Sequence, residues 1–168
     1  MFDKKLENAF NDQINAELQS AYLYLAMASW FDSQSLPGMA GWMRMQAREE
    51  VMHAMKFYDF VQERGGRVIL TALETPQAEW ESPLKAFEDT LDHERIVTGL
   101  IHSLVDLSIA EKDHAANAFL QWFVTEQVEE EATAEQVVDR LTMAGSNPAA
   151  LLMFDDKLGQ RAPAAEAE

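Results

Sequence analysis

Glu50 and His53 stand three residues apart in "REEVMHAM", and Gln127 and Glu130 repeat that interval in "EQVEEE". An interval of three puts both members of a pair on one helical face. Glu17 in "NAELQ" and Glu94 in "DHERI" are further carboxylates, each falling in register with apolar neighbours on its own segment. A glutamate cluster usually lies in solvent. Turned inward, ionised carboxylates repel one another and lose hydration, at a cost of several kcal/mol per unpaired charge. Such groups either hold protons at raised pKa values or hold cations. Carboxylate oxygens joined by an imidazole nitrogen suit divalent metal ions.

Whether these residues meet depends on the elements that carry them. Loop signals divide the chain: "DSQSLPG" at Asp32–Gly38, "RGGRVILTALETPQAEWESP" at Arg64–Pro83, and "AGSNP" at Ala144–Pro148 with Asn147 as N-cap and Pro148 at the first helical position. A tight turn near Lys112–Asp113 is the only further break before Ala144. Between the breaks run four stripes with alternating three-and-four spacing. The first is Leu6, Phe10, Gln13, Glu17, Ser20, Tyr24, Met27 and Phe31. The second is Met39, Met43, Gln46, Glu50, His53, Phe57 and Phe60. The third is Leu84, Phe87, Leu91, Glu94, Thr98, Ile101, Val105 and Ser108. The fourth is Ala116, Leu120, Phe123, Gln127, Glu130, Ala134, Val137 and Leu141. Each is mostly apolar near its ends and polar in its middle.

Four helices of roughly 25 residues, about 38 Å long, are predicted. The short first and third connections make antiparallel neighbours. The second connection is long enough to span a helix, so the second and third helices run parallel. That is an all-α bundle with one long crossover. The midpoints of all four helices then share one level, which carries four glutamates, a histidine and a glutamine with no lysine or arginine on the stripes. Two ferrous ions a few Å apart, with bridging glutamates, suit that layer. Zinc and manganese suit the same donors, and zinc competes by intrinsic affinity.

Composition excludes other classes. A length of 168 residues fits one domain, taken as residues 1–158, with a small polar tail at 159–168 that reads as disordered. The net charge of −16 argues against nucleic-acid and anionic-membrane surfaces and favours cations. The absence of cysteine removes disulfides, thiolate metal sites and cysteine nucleophiles. The N-terminal stretch lacks the apolar core of a signal peptide, and no run reaches transmembrane length, so a cytoplasmic protein is expected.

Glu17, Glu50-x-x-His53, Glu94 and Gln127-x-x-Glu130, together with the loop lengths and a short fifth helix, resemble the bacterial non-haem ferritins over about Met1 to Leu158. That resemblance implies a ferritin-like four-helix bundle. Glu17, Glu50 and His53 would serve a first iron, and Glu94, Glu130 and a bridging Glu50 a second. Gln127 would stand beside the pair. Glu49, Glu126, Glu129 and Glu130 match a third iron site of the family, and Tyr24 matches a tyrosine that supplies an electron. On spacing alone, Tyr24 is equally a core tyrosine, and Glu49, Glu126 and Glu129 equally a solvated face. The implied reaction is oxidation of Fe(II) by dioxygen or hydrogen peroxide, with storage as ferric oxyhydroxide inside a homo-oligomeric cage of 24 subunits.

Haem is not expected: Val51 holds the place of the methionine that ligates it in bacterioferritins, and Met52 is rotated about 100° away. The segment "PAALLMFDDKL" at Pro148–Leu158 is too short and apolar to stand alone, which points to self-assembly. His93, His102 and His114 read as surface or subunit-contact residues, and Glu131 as a solvent or subunit-contact residue. Met39, Met43, Met45, Met52 and Met55, with Trp30, Trp42, Trp80 and Trp122, read as packing or interface material. Two rivals remain: a diiron peroxidase or oxygenase on the same bundle, and an assembly protein whose polar layer only sets register. A DNA-protecting mini-ferritin is disfavoured by the fifth helix and the absence of a basic tail.

Overall fold

The computed structural model describes residues 2–160, and among them the chain forms five α-helices and no strand. These are α1 (Lys4–Ser33), α2 (Pro37–Glu63), α3 (Pro83–Ala110), α4 (His114–Ala144) and α5 (Pro148–Leu158). The expected disorder of the tail falls, from Arg161 onward, outside the described residues.

Local chemistry fixes most boundaries. Asp3 accepts from Lys5 N at 2.8 Å, Ser82 from Lys85 N at 3.1 Å, and Asp113 from Ala116 N at 2.9 Å, so α1, α3 and α4 each begin on a side-chain cap. Asn147 caps α5 through Ala149 N at 3.0 Å, with Pro148 next. Lys112 takes a positive φ of 56° in the turn between α3 and α4. The four long helices run 30, 27, 28 and 31 residues, longer than the roughly 25 expected. Their apolar faces continue into the caps and stay buried there, so nothing stops the helix sooner.

Helix α2 is the exception, because Leu36 offers no side-chain cap. Its cap comes from α5: the buried Asp155 carboxylate accepts from Gly38 N at 3.1 Å and Met39 N at 2.7 Å. A carboxylate there satisfies orphan donors and meets the positive end of the helix dipole. The approach requires a glycine. A Cβ on residue 38 would stand 1.8 Å from the Asp155 carbonyl oxygen.

The core is two clusters. One gathers Phe2, Leu6, Phe10 and Ile14 with Phe57, Val61, Ile101, Leu120 and Phe123. The other gathers Tyr24, Met27, Phe31, Met39, Met43, Phe87, Val137 and Leu141. Helices α1 and α4 pass from the first cluster to the second, and α2 and α3 pass the other way. The second and third helices are therefore parallel, as the crossover length requires. Between the clusters lies a buried polar band of Gln13, Glu17, Ser20, Gln46, Glu50, His53, Glu94, Gln127 and Glu130.

The crossover from Arg64 to Ser82 is tied along α1 by side chains that pair with backbone as a strand would. Asn11 donates to Arg67 O at 3.1 Å and accepts from Ile69 N at 2.6 Å. Gln19 donates to Glu74 O at 3.1 Å and accepts from Glu74 N at 2.7 Å. These bonds satisfy an irregular segment that has no ladder of its own.

Candidate metal centre

Each glutamate of the band comes from a different helix, and each has its own environment. Glu17 on α1 is 1% exposed and accepts from Gln13 Nε2 at 2.9 Å, one turn earlier on the same helix. Glu50 and His53 share a face of α2, with His53 Nδ1 3.4 Å from Glu50 Oε2. Glu94 on α3 accepts from the Tyr24 hydroxyl on one oxygen and from Gln127 Nε2, at 3.2 Å, on the other. Glu130 on α4 accepts from Gln46 Nε2 at 2.7 Å, across the bundle.

No lysine or arginine pairs with Glu17, Glu50, Glu94 or Glu130 among the described residues. The charges therefore push on one another. Burial, then the neighbouring Glu50 charge, holds Glu17 well above the usual carboxylate range. Burial, then Glu94, does the same to Glu50. Burial raises Glu94, partly offset by the bonds from Tyr24 and Gln127. Burial, with Glu94 and Glu49, pushes Glu130 up to about 7. Tyr24 is driven well above its ordinary value by burial and by the Glu94 charge, so it stays a protonated donor.

Two observations fit this arrangement to cations. Glu17 Oε2 and Glu50 Oε2 are buried and accept from no amide, hydroxyl or cationic donor, so without a bound cation these two carboxyls can satisfy each other only by sharing a proton, Glu17 donating and Glu50 accepting. Donor atoms of Glu17, Glu50 and His53 all lie within 4.8 Å of one another, as do those of His53, Glu126 and Glu130. The two groups share His53.

The structure does not treat the expected residues alike. Glu94 joins neither group, because both its oxygens are turned to Tyr24 and Gln127; each oxygen keeps a second lone pair for a metal. Glu49, at 9% exposed, stands at the edge of the band, close enough to raise Glu50 and Glu130. Glu126 is half-buried beside His53 and Glu130. Glu129 is exposed and joins neither group. Val51 and Met52 are both exposed on α2.

Several residues gain partners that their spacing does not show. His93 is half-buried, unlike the exposed His102 and His114. Its Nε2 lies 2.8 Å from Ser20 Oγ and its ring packs edge-on against Tyr24, which ties α3 to α1. Glu131 remains partly exposed, and one of its oxygens accepts from Thr98 Oγ1 at 2.6 Å across the α3–α4 contact. Gln13 and Gln46, read only as stripe positions, turn out to hold two of the glutamates. Their place on the stripes is the one signal the sequence carries, because neither stands three residues from Glu17, Glu50, His53, Glu94 or Glu130, as Gln127 does from Glu130.

A family model for the ferritin-like domain matches residues 7–144. The chain belongs to the ferritin family. A bacterial non-heme ferritin of Bacteroides fragilis is 44% identical to it over 96% of this chain and 100% of that one. One from Staphylococcus saprophyticus is 40% identical, over 96% of each. Among solved structures, an open pore ferritin from the archaeon Archaeoglobus fulgidus superposes with a TM-score of 0.95 at 54% identity, covering 96% of this chain and 99% of that one. The function of this ferritin is iron storage, with oxidation of ferrous iron at a site within the bundle. No observation favours a peroxidase or oxygenase. No helix among its described residues is long and apolar enough to cross a membrane.

Proposed function

We propose that Glu17, Glu50, His53, Glu94 and Glu130 bind a pair of Fe(II) substrate ions and that this pair is oxidised together. The observation that carries the reading is the pair of donorless buried oxygens, Glu17 Oε2 and Glu50 Oε2, gathered with His53 in one ligand group. Glu17, Glu50 and His53 serve one ion, and Glu94, Glu130 and a bridging Glu50 the other. Dioxygen or hydrogen peroxide is the oxidant. Each Fe(II) gives one electron, so a pair supplies the two that reduce dioxygen to peroxide.

The chain's own groups act mainly through charge and protons. With no metal bound, the raised carboxyls hold protons; an arriving cation displaces them and meets ionised ligands. Gln127 and Tyr24 orient Glu94, and Tyr24, hydrogen-bonded to that ligand, is placed to give one further electron to the peroxide-level oxidant while its proton passes to Glu94. Glu49, Glu126 and Glu130 form an adjoining third iron site, with Glu129 as its solvent-side member. The working unit is one domain of residues 1–158, acting in the cytoplasm, with ferric oxyhydroxide held in a cage of 24 copies. Haem has no part in the proposal.

The test is aerobic addition of Fe(II) to metal-free protein, following ferric absorbance and particle mass. The expected result is fast oxidation of about two irons per subunit, then mineral growth in a large shell. A monomer that oxidises iron no faster than buffer would sink the reading.

A further inference from the structure

Three of the four band glutamates are each held by a neutral amide. Gln13 Nε2 donates to Glu17 Oε1 at 2.9 Å, Gln46 Nε2 to Glu130 Oε2 at 2.7 Å, and Gln127 Nε2 to Glu94 Oε2 at 3.2 Å. All three amides are buried, at 3%, 1% and 4% exposed. Glu50, the member expected to bridge, accepts from none of them, and its Oε2 has no donor. The glutamines sit where a lysine or arginine would otherwise neutralise a buried carboxylate.

We infer that Gln13 and Gln46 are positioning residues of the iron-oxidising site, each pinning one oxygen of its glutamate so that the other is presented to metal. The physical case is one of orientation without neutralisation. A carboxylate on a flexible side chain needs a directional donor to fix its plane. A cationic donor would cancel the charge that attracts Fe(II), whereas an amide leaves it whole. The pinned oxygen of Glu17 is Oε1, and the oxygen left without a donor, Oε2, belongs to a residue grouped with Glu50 and His53.

The two amides do different work. Gln13 and Glu17 lie one turn apart on α1, so that pair is set by local helix geometry. Gln46 reaches from α2 to α4 and joins the α1–α2 hairpin to the α3–α4 hairpin at the level of the buried glutamates. Losing it frees a ligand and also loosens the register between hairpins at the site. The two substitutions should therefore weaken different metal positions: Gln13 the one built on Glu17, Gln46 the one built on Glu130.

This inference rests on the proposed two-ion site, and the experiment separates the two. The full assembled protein, metal-free, is titrated anaerobically with Co(II), a redox-inert stand-in whose visible absorption reports coordination geometry. Wild type, Gln13→Leu, Gln46→Leu and the donor-restoring Gln46→His are compared, with Gln→Met as the second choice where a Leu variant fails to assemble. Outer-layer partners of metal ligands typically carry about tenfold to hundredfold in affinity. The expected result is at least two Co(II) per subunit in wild type, a third ion marking the adjoining carboxylate site, a loss of that size at one position of the pair in each apolar variant with an altered spectrum, and recovery in Gln46→His. Apolar variants that match wild type in affinity and spectrum would overturn the positioning role and leave the site intact. Fewer than two bound Co(II) in wild type would overturn the site itself, and the inference with it.

Discussion

Glu50 carries the most conflicting demands of any residue here. It is nearly inaccessible, one of its oxygens has no donor, and Glu94, Glu130 and Glu49 all raise its proton affinity. Glu50→Leu should abolish the fast phase of Fe(II) oxidation yet leave the metal-free protein as stable or up to about 2 kcal/mol more stable, because it removes a ligand together with a buried carboxyl whose desolvation is poorly compensated. Stopped-flow ferric absorbance and thermal melting check the two halves. The same raised pKa values set a pH dependence. Between about 4.5 and about 7 the folded metal-free chain keeps protons that the unfolded chain has released, as the Glu130 value of about 7 indicates. The unfolded state then binds fewer protons, so stability falls as pH rises through that window and is fully present below it. Melting temperatures in chelator at about pH 5 and pH 8 should show the fall, and Glu130→Gln should reduce it. His93, whose pKa burial lowers, contributes with the opposite sign; the variant comparison isolates the carboxylate part.

Among the elements, α5 has a role in the bundle beyond its own packing: it supplies the cap that α2 lacks. Asp155→Ala leaves Gly38 N and Met39 N without their acceptor and should cost about 1–2 kcal/mol, the usual worth of a helix cap. Gly38→Ala should cost about as much or more, since its Cβ cannot coexist with the Asp155 carbonyl. Faster proteolytic release of α5 in both variants would show that the joint has opened, whereas wild-type protection would count against it. This joint was not legible beforehand. Asp155 and Gly38 are far apart in sequence, neither stands out by type, and only docking of α5 onto the start of α2 makes the aspartate a cap. The other caps, at Asp3, Ser82, Asp113 and Asn147, were within reach of a local reading because donor and acceptor lie two or three residues apart.

At the scale of the whole molecule, the chain keeps exposed apolar surface near its C-terminal end. Met143 is 86% exposed, Met153 74% and Leu152 55%, close to Phe154 and the end of α4. In a cage such surface lies between copies, so Met153→Glu should lower the assembled mass without unfolding the subunit, read by light scattering alongside circular dichroism. An unchanged mass would place that surface outside the assembly. The fall of mineral capacity should follow the fall in mass, while the initial oxidation of about two irons per subunit should survive, because every proposed ligand comes from one chain.

The sequence by itself determined the four stripes, their polar middles and the long second connection, and through them the bundle, its connectivity and the level at which the glutamates meet. These follow from periodicity and length, which are local properties of a chain. Only the tertiary structure decided how each glutamate is treated once there. Gln46 finds Glu130 across the bundle, Tyr24 and Gln127 claim both oxygens of Glu94, and Glu17 and Glu50 each keep an oxygen with no donor. It also set the half-buried His93 against Ser20 and gave Glu131 the Thr98 hydroxyl. A helical register gives the face a residue presents; which neighbour it meets there depends on how the helices are rotated and offset against one another, and that is fixed by packing over the whole bundle.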